Sequence, residues 1–458
     1  METKTIKYLM IGAGPTALGA AHRLRQVGED DFLVLEKLEK AGGLARSFVD
    51  DKGFTWDIGG HVQFSHYEYF DKLMVEALAP EHWHEHKRSA WALMMQRFVP
   101  YPVQNNLRYL PKDKMWECIK GIIAVNNAPA KDKPKNFYEW IQAIFGAGLA
   151  DVFMLPYNFK VWACPAEQMS YQWIGERVSV VGLESALKNI ILESDDATWG
   201  PNSYFKFPSA GGTGIIWENV SKLVGHDKFV FNCAVTAIDH AQKKVLCSDG
   251  RQYRYQHLIS TMPADVLGNM LQPRIDSAVL EKLRGLVHSS SNIVGLGLKG
   301  QCPDALKDKS WIYFPEDNCP FYRATVFSNY SSANVPDPAK YWSLMTETSE
   351  SVHKKVDHEK LIEDTIQGCI NTGLITSKEQ VYSRWMHREE FGYPVPSLHR
   401  DDILRTAIPY FEQFDIYSRG RFGGWKYEVS NQDHSLMQGV ELINRLQYGD
   451  AEKTYTAS

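Results

Sequence analysis

Ile11-Gly12-Ala13-Gly14-Pro15-Thr16-Ala17 is the stretch that decides the fold of this chain. An apolar run, Ile6 to Ile11, leads into it and reads as a buried parallel strand. Pro15 to Arg25 follows with helical spacing of its apolar residues. Strand, glycine turn and helix in that order match G-x-G-x-x-G/A. The first glycine permits a tight turn, the second lets backbone approach a pyrophosphate, and the third position, here Ala17, must be small for helix–strand packing. The helix N-terminus adds N–H donors and a partial positive charge. An ordinary glycine turn fits the same seven residues, so the neighbours decide. Asp31 to Glu36 reads as a second strand ending in an acid placed to accept both ribose hydroxyls. A carboxylate there repels a 2′-phosphate, which suits FAD or NAD rather than NADP. Gly42-Gly43-Leu44-Ala45-Arg46 is a second glycine turn, and Asp57-Ile-Gly-Gly-His61 a third glycine-rich approach, suited to backbone packed against a flavin ring.

A chain of 458 residues predicts two or three interleaved domains, and 44% hydrophobic content is enough for several cores. With a net charge of -5, no global field attracts nucleic acid or an anionic membrane, so anion binding must come from local arginines. Seven cysteines without a CxxC pair read as free thiols in a reducing compartment. No uncharged apolar run approaches about 18 residues, so no membrane span is expected. A cytoplasmic protein is the expectation.

Trp116–Val125, Phe137–Phe145 and Leu149–Phe153 have helical spacing, with Pro156 and Pro165 expected to break the pattern. Asp249-Gly250 signals a hairpin. Ser291–Leu298, Trp311–Phe314 and Tyr322–Phe327 read as strands, and helical spacing returns at His358–Thr372. Ser331 to Lys340, with two prolines and small polar residues, reads as a mobile surface loop. His82-Trp-His-Glu-His86 has a metal-like look, but no distant ligand block completes it. A polar loop is the reading, and no metal is assigned.

Close to the C-terminus, Ser418-Arg-Gly-Arg-Phe-Gly-Gly-Trp-Lys-Tyr-Glu-Val-Ser-Asn-Gln-Asp-His-Ser435 packs cations, a tyrosine and amides around glycines. With Gly59–Phe70, Pro100–Asn106, Pro156–Trp162, Gly175-Glu-Arg177, Trp311–Arg323 and Gly392-Tyr-Pro394, it resembles the eukaryotic-type UDP-galactopyranose mutases over nearly the whole chain. Lys426 and Ser430 stand where relatives usually have Arg and Gly.

That resemblance implies an α/β fold, a Rossmann-type FAD-binding domain interleaved with a helical domain and an antiparallel β-sheet domain. The expected partition gives 1–86, 208–265 and 415–458 to FAD, 106–200 to a helical uridine-binding domain, and 87–105, 201–207 and 266–414 to a β-rich substrate domain. It implies interconversion of UDP-galactopyranose and UDP-galactofuranose, with reduced FAD N5 as nucleophile on the anomeric carbon and no net redox change. UDP-galactose and UDP are then the partners, NADPH is the reductant, and neither nucleic acid nor membrane takes part.

The implied catalytic set is His61, Arg177, Asn202, Arg323 and Arg421, with Arg323 and Arg421 on the diphosphate, where guanidinium forks suit phosphate. His61 is placed near flavin N5 on a loop that shifts on reduction, without a direct acid–base role. Tyr313, Tyr330, Tyr393 and Tyr427 add hydroxyl donors; Phe64, Gln104, Phe153, Tyr157, Asn158 and Trp162 belong to the uridine and substrate pocket. Arg88 and Tyr101 dock NADPH. The cofactor set is Gly12, Gly14, Pro15, Thr16, Glu36, Gly43, Leu44, Arg46, Gly60, His61 and Val235, with Gly420, Asn431, Gln432 and Ser435 near the end of the chain. Any one tyrosine also fits core packing, and any one arginine a surface ion pair; the weight rests on their clustering. A net-redox flavoenzyme sharing the fingerprint needs an apolar tunnel or aromatic cage, which the Arg and Tyr clustering opposes. A flavin-free relative, like the Rab GDP-dissociation inhibitors, is opposed by intact Gly12, Gly14 and Glu36.

Overall fold

A computed structural model describes residues 4–128, 133–175, 178–180, 182–196 and 203–457. The fingerprint segment folds as read: strand Lys4–Ile11, helix Pro15–Gln26 with its proline in the first turn, and strand Phe32–Leu35. The connecting turn needs glycine, because Gly12 has φ +96° and a Cβ there would collide with Thr261 Oγ1. These strands pair in parallel, and Lys4–Ile11 also pairs in parallel with Gln252–Ser260, so Leu9 faces Leu33 on one side and Leu258 on the other. The Asp249-Gly250 hairpin joins Lys244–Cys247 to that last strand. With Phe229–Val230, Val235–Asp239, Leu271–Gln272 and Ile416–Ser418 they complete an eight-stranded sheet. Helices Pro15–Gln26, Gly214–Val224 and Gln432–Tyr448 fill one face and Ser277–Leu283 and Arg400–Glu412 the other. The two segments 271–283 and 400–412, grouped by the sequence reading with the β-rich domain, thus pack on this cofactor sheet.

The second sheet has seven strands in the order Val381–Pro394, His288–Lys299, Tyr341–Glu350, Arg323–Val326, Trp311–Tyr313, Ala90–Met94 and Arg97–Pro100. It is antiparallel except between Trp311–Tyr313 and Ala90–Met94, which run parallel.

A helical lobe stands beside it, made of Lys112–Asn126, Phe137–Leu149, a π-helical turn Ala150–Met154, Leu155–Trp162 and Leu183–Ile191. Pro156 does not break this run. It sits in the first turn of Leu155–Trp162, just after the π turn, where the helix needs no N–H from it. Residues 137–162 are long and apolar enough, by length and composition, to cross a membrane. In the fold, Phe137, Ile141, Phe145, Leu149, Phe153 and Trp162 are buried in the lobe's own core.

Two further expectations change. Ser331 to Lys340 is not a free loop: Ser331, Asn334 and Val335 are buried, Ser331 Oγ donates to Ser209 O and Asn334 Nδ2 to Phe327 O. The His82–His86 stretch is a strand, Trp83–Lys87, paired with Tyr204–Pro208. His86 there is held by Tyr330 O at 2.8 Å.

Candidate functional site

One cavity of about 1220 Å³ runs between the cofactor sheet, the second sheet and the helical lobe. That exceeds the roughly 300–1,000 Å³ of a typical small-molecule pocket, as a site for cofactor plus substrate should. The cofactor sheet brings Gly12, Gly14, Pro15, Thr16, Glu36 and Val235 to its wall, and the second glycine turn brings Gly43, Leu44 and Arg46. Gly60, His61 and Phe64 come from the loop before helix Glu68–Ala77; Gly420, Arg421, Tyr427, Asn431, Gln432 and Ser435 come from the C-terminal stretch. Tyr157, Asn158 and Trp162 line it from the lobe; Arg88, Tyr101, Tyr313, Arg323 and Tyr393 from the second sheet and its flanks.

Three expected residues are not on the wall. Phe153 lies behind Tyr157, stacked on it at 5.1 Å. Gln104 is buried and donates to Ser179 O. Tyr330 is buried among Phe205 and Phe207. Arg177 and Asn202 lie outside the described residues.

The chain fits a flavin dinucleotide at this cradle. Gly14 and Gly43 face each other so closely that a Cβ on Gly43 would stand 3.0 Å from Gly14 Cα. Glu36 is buried and fixed, accepting the N–H of Ala13 at 2.6 Å and of Leu38 at 2.9 Å. Several buried polar atoms of wall residues lack a partner among the described residues: His61 Nδ1, both amide atoms of Gln63, and Trp311 Nε1. Buried polar groups in folded proteins are satisfied, so these atoms call for a polar ligand or water.

Arg323 is the centre of the wall facing the glycine cradle. Its Nε and Nη2 donate to the two oxygens of Glu347 at 2.6 and 2.7 Å. Glu347 also accepts Tyr322 OH at 2.7 Å and the Gly60 N–H at 3.0 Å. Burial pushes the Glu347 pKa up, but the Arg323 charge and these hydrogen bonds outweigh it and hold the carboxyl below its ordinary value. Arg421 donates to Gly392 O at 3.0 and 3.2 Å and lies over the rings of Tyr393 and Tyr427 at 5.0 and 5.7 Å. Burial, opposed by Glu347 and assisted by Arg323 and Arg421, lowers His61 to about 4, so its imidazole is neutral at pH 7. Burial likewise raises the phenols of Tyr101, Tyr157, Tyr330 and Tyr393, which stay protonated and able to donate.

The aromatic wall is continuous. Tyr313 meets Tyr101 at 4.7 Å and Tyr157 at 5.2 Å; Trp162 meets Tyr427 at 4.8 Å. Arg88 stands over Trp311 at 5.0 Å. Asn158 is turned back on its helix, donating to Met154 O at 2.7 Å. Arg46 is not a free cation: it donates to Gly43 O and pairs with Glu389 at 2.5 Å.

Glu347, Glu389, Gln63 and Asp433 belong to this wall and escaped the sequence reading. For Glu347 a signal existed, an acid inside the otherwise buried strand Tyr341–Glu350, where an unpaired charge would be costly. Chemically, two guanidiniums and several phenols converge on one glycine cradle, an arrangement for holding a nucleotide diphosphate beside a second, dinucleotide ligand.

The sequence profile of the family described as flavin containing amine oxidoreductase matches residues 18–394. A solved structure of reduced UDP-galactopyranose mutase is 45% identical, with TM-score 0.95, over 99% of this chain and 96% of that one. Putrescine oxidase bound to putrescine (15% identity, TM-score 0.65, 97% and 99% coverage) shares the fold. So does a fatty acid isomerase from P. acnes that produces CLA (15% identity, TM-score 0.64, 96% and 99% coverage). The chain therefore belongs to the flavin-containing amine oxidoreductase family and, within it, to the UDP-galactopyranose mutases.

Proposed function

We propose that the protein interconverts UDP-galactopyranose and UDP-galactofuranose in this cavity. The observation that carries the reading is the continuity of the site, with the glycine cradle and the Arg323–Arg421 pair opening on one space. When bound and reduced, FAD supplies a nucleophilic N5 for the anomeric carbon, so the sugar exchanges ring forms without net redox change. Glu36 would accept the ribose hydroxyls of the bound dinucleotide, and the helix beginning at Pro15 would offer its N–H groups to the pyrophosphate. Arg323 and Arg421 neutralise charge as UDP leaves C1, and Tyr313, Tyr393 and Tyr427 donate to its phosphates. Tyr157, Trp162 and Asn158 hold the uridine, the aromatics by their faces. Glu347 keeps the Arg323 fork in one orientation, which limits the reorganisation needed when charge develops. His61, neutral at pH 7, offers the flavin side of the cavity an uncharged imidazole.

NADPH is the proposed reductant, with Arg88 and Tyr101 as its docking residues. The sheet carries one G-x-G-x-x-A turn, so NADPH would use the substrate side of the same cavity. A cytoplasmic setting is supported by seven unpaired cysteine thiols.

The deciding experiment is anaerobic incubation with UDP-galactofuranose, with and without dithionite, followed by chromatography of the UDP-sugars. Conversion to UDP-galactopyranose is expected only in the reduced sample. A yellow protein that bleaches with dithionite and converts nothing would refute the reading.

A further inference from the structure

Gln63 belongs to the cavity wall and is 5% exposed. Its backbone is fixed: the N–H donates to Lys206 O at 3.0 Å, and the carbonyl accepts the Lys206 N–H at 2.8 Å. That bridge ties it to strand Tyr204–Pro208, so the side chain is presented from a rigid support. Neither Oε1 nor Nε2 has a hydrogen-bond partner among the described residues, and both are shut off from solvent. A buried donor and acceptor left unpaired carry their full desolvation cost. Leucine or methionine would fill a similar volume without that cost.

The neighbours of Gln63 define what could pair with it. Three residues earlier, Gly60 lies against the Arg323–Glu347 pair: a Cβ there would stand 3.7 Å from both Arg323 Cζ and Glu347 Oε1. Val62 packs in one core with Phe205 and Trp311, which also line the cavity, and Trp311 Nε1 is a second donor without a partner among the described residues. A diphosphate calls for cations, which Arg323 and Arg421 supply. The Gln63 amide and the Trp311 indole are uncharged. A hexose is also neutral, and each of its hydroxyls both donates and accepts, as a carboxamide does. In the proposed function the hexose hangs from the diphosphate toward the flavin, which sets it along this loop.

We propose that Gln63 is a substrate-contact residue whose carboxamide hydrogen-bonds hydroxyls of the hexose, and that this contact distinguishes a UDP-sugar from UDP. The inference rests on the reading of the cavity as the flavin and UDP-sugar site. The Gln63 backbone stays bridged to Lys206 while the side chain turns about its own bonds to meet the sugar. The amide is then unpaired in the sugar-free protein and paired in the complex. An apolar side chain of similar volume acts on the two states with opposite signs. The sugar-free fold is relieved of an unpaired polar group, and the complex loses its hydrogen bonds. UDP carries no hexose, so its affinity stays level.

The test titrates UDP-galactopyranose and UDP into the flavin-loaded, oxidised wild type and Gln63→Leu by calorimetry, and reads the Tm of the sugar-free protein by scanning fluorimetry. In Gln63→Leu the ratio of dissociation constants, UDP-galactopyranose over UDP, should rise roughly five- to ten-fold, the scale of one or two neutral hydrogen bonds. UDP affinity and flavin content should not change, and Tm should hold or rise. An unchanged ratio would overturn the proposal, as would equal weakening of both ligands, which would leave Gln63 only a share in the shape of the wall. A fall in Tm would also overturn it, because the amide would then be paired without the sugar. An unchanged ratio with slower bleaching by NADPH would give the amide to the reductant instead. Should Gln63→Leu misfold, Gln63→Met, unbranched like glutamine, decides by the same readings. A wild type that binds neither UDP nor UDP-galactopyranose would overturn the reading of the cavity itself.

Discussion

Replacing Glu347 by glutamine should destabilise the protein without weakening UDP binding. Glutamine keeps the volume and one carbonyl oxygen, so Arg323 retains one of its two acceptors. What disappears is the countercharge. Glu347 has a side chain 4% exposed, and its partner Arg323 is 20% exposed, facing the cavity. Removing one member of a buried ion pair costs about 3–5 kcal/mol. The partial opening of Arg323 to the cavity places this pair at the lower end, about 3 kcal/mol. An unfolding entropy of about 2.1 cal/mol/K per residue gives a chain of 458 residues about 1 kcal/mol per degree, so Tm should fall by about 3 °C. UDP binding should move the other way or stay level, since the substitution removes a negative charge from the wall proposed to receive a diphosphate. Differential scanning fluorimetry of the flavin-loaded protein gives the first quantity, and isothermal titration with UDP the second. An unchanged Tm together with UDP affinity reduced ten-fold or more would refute the reasoning, because Glu347 would then be a ligand contact rather than the fixed partner of Arg323.

Arg323→Ala should weaken UDP binding by roughly ten- to a hundred-fold, the scale of charge-assisted hydrogen bonds, while flavin content is retained; unchanged affinity by titration removes Arg323 from the diphosphate. Gly12→Ala should purify without flavin, since its Cβ collides with Thr261 Oγ1, and a fully yellow variant would contradict that steric argument. With its pKa lowered to about 4, His61 binds fewer protons folded than unfolded between about pH 4 and 6.5. Its contribution to stability is full above pH 6.5 and is lost as pH falls toward 4; a ring-proton NMR midpoint near 6.5 would show the burial argument wrong. Asp57 has the opposite sign: burial raises it from 3.8 to about 6, so its contribution is full below pH 3.8 and lost as pH rises through 6. Asp57→Asn, whose amide oxygen can still accept from Ser47 and Thr213, should flatten the urea-derived stability curve between pH 4 and 6 by up to about 3 kcal/mol.

The parts of the site legible in the sequence are those whose chemistry is local. Gly12, Gly14 and Glu36 declare themselves because a turn, a helix start and a strand end occur in one unbroken segment, and Gly43 to Arg46 repeats the device. Glu347 could not be read the same way. It faces Arg323 only because strands Arg323–Val326 and Tyr341–Glu350 pair in the register that sets residue 323 opposite 347. Register is a tertiary quantity, fixed by burial on two faces rather than by either strand alone. The strand Trp83–Lys87 reads as a loop for a related reason: its strand partner among the described residues, Tyr204–Pro208, is far away in sequence. Ser331 to Lys340 has the composition of a surface loop, and composition does not reveal that Asn334 bonds to the Phe327 carbonyl and Ser331 to that of Ser209. Pro156 reads as a breaker until the π turn before it supplies a new first turn.

The kink at Gly146 has a mechanical consequence. Gly146 has φ +71°, and a Cβ there would collide with the backbone of Gly121; Gly148 meets Glu117 and Cys118 in the same way. At this junction, helices Lys112–Asn126 and Phe137–Leu149 therefore touch main chain to main chain, while along the rest of their length Ile119, Ile122, Ile141 and Phe145 pack in one core. The helical run continues from this junction through the π turn Ala150–Met154 to Tyr157, Asn158 and Trp162. If the proposed uridine pocket is right, a nucleotide pressing on those three side chains pushes on a run anchored at this glycine junction. A single methyl group added at Gly146 or Gly148 would then displace main chain rather than a side chain, and the proposed nucleotide pocket would feel the shift.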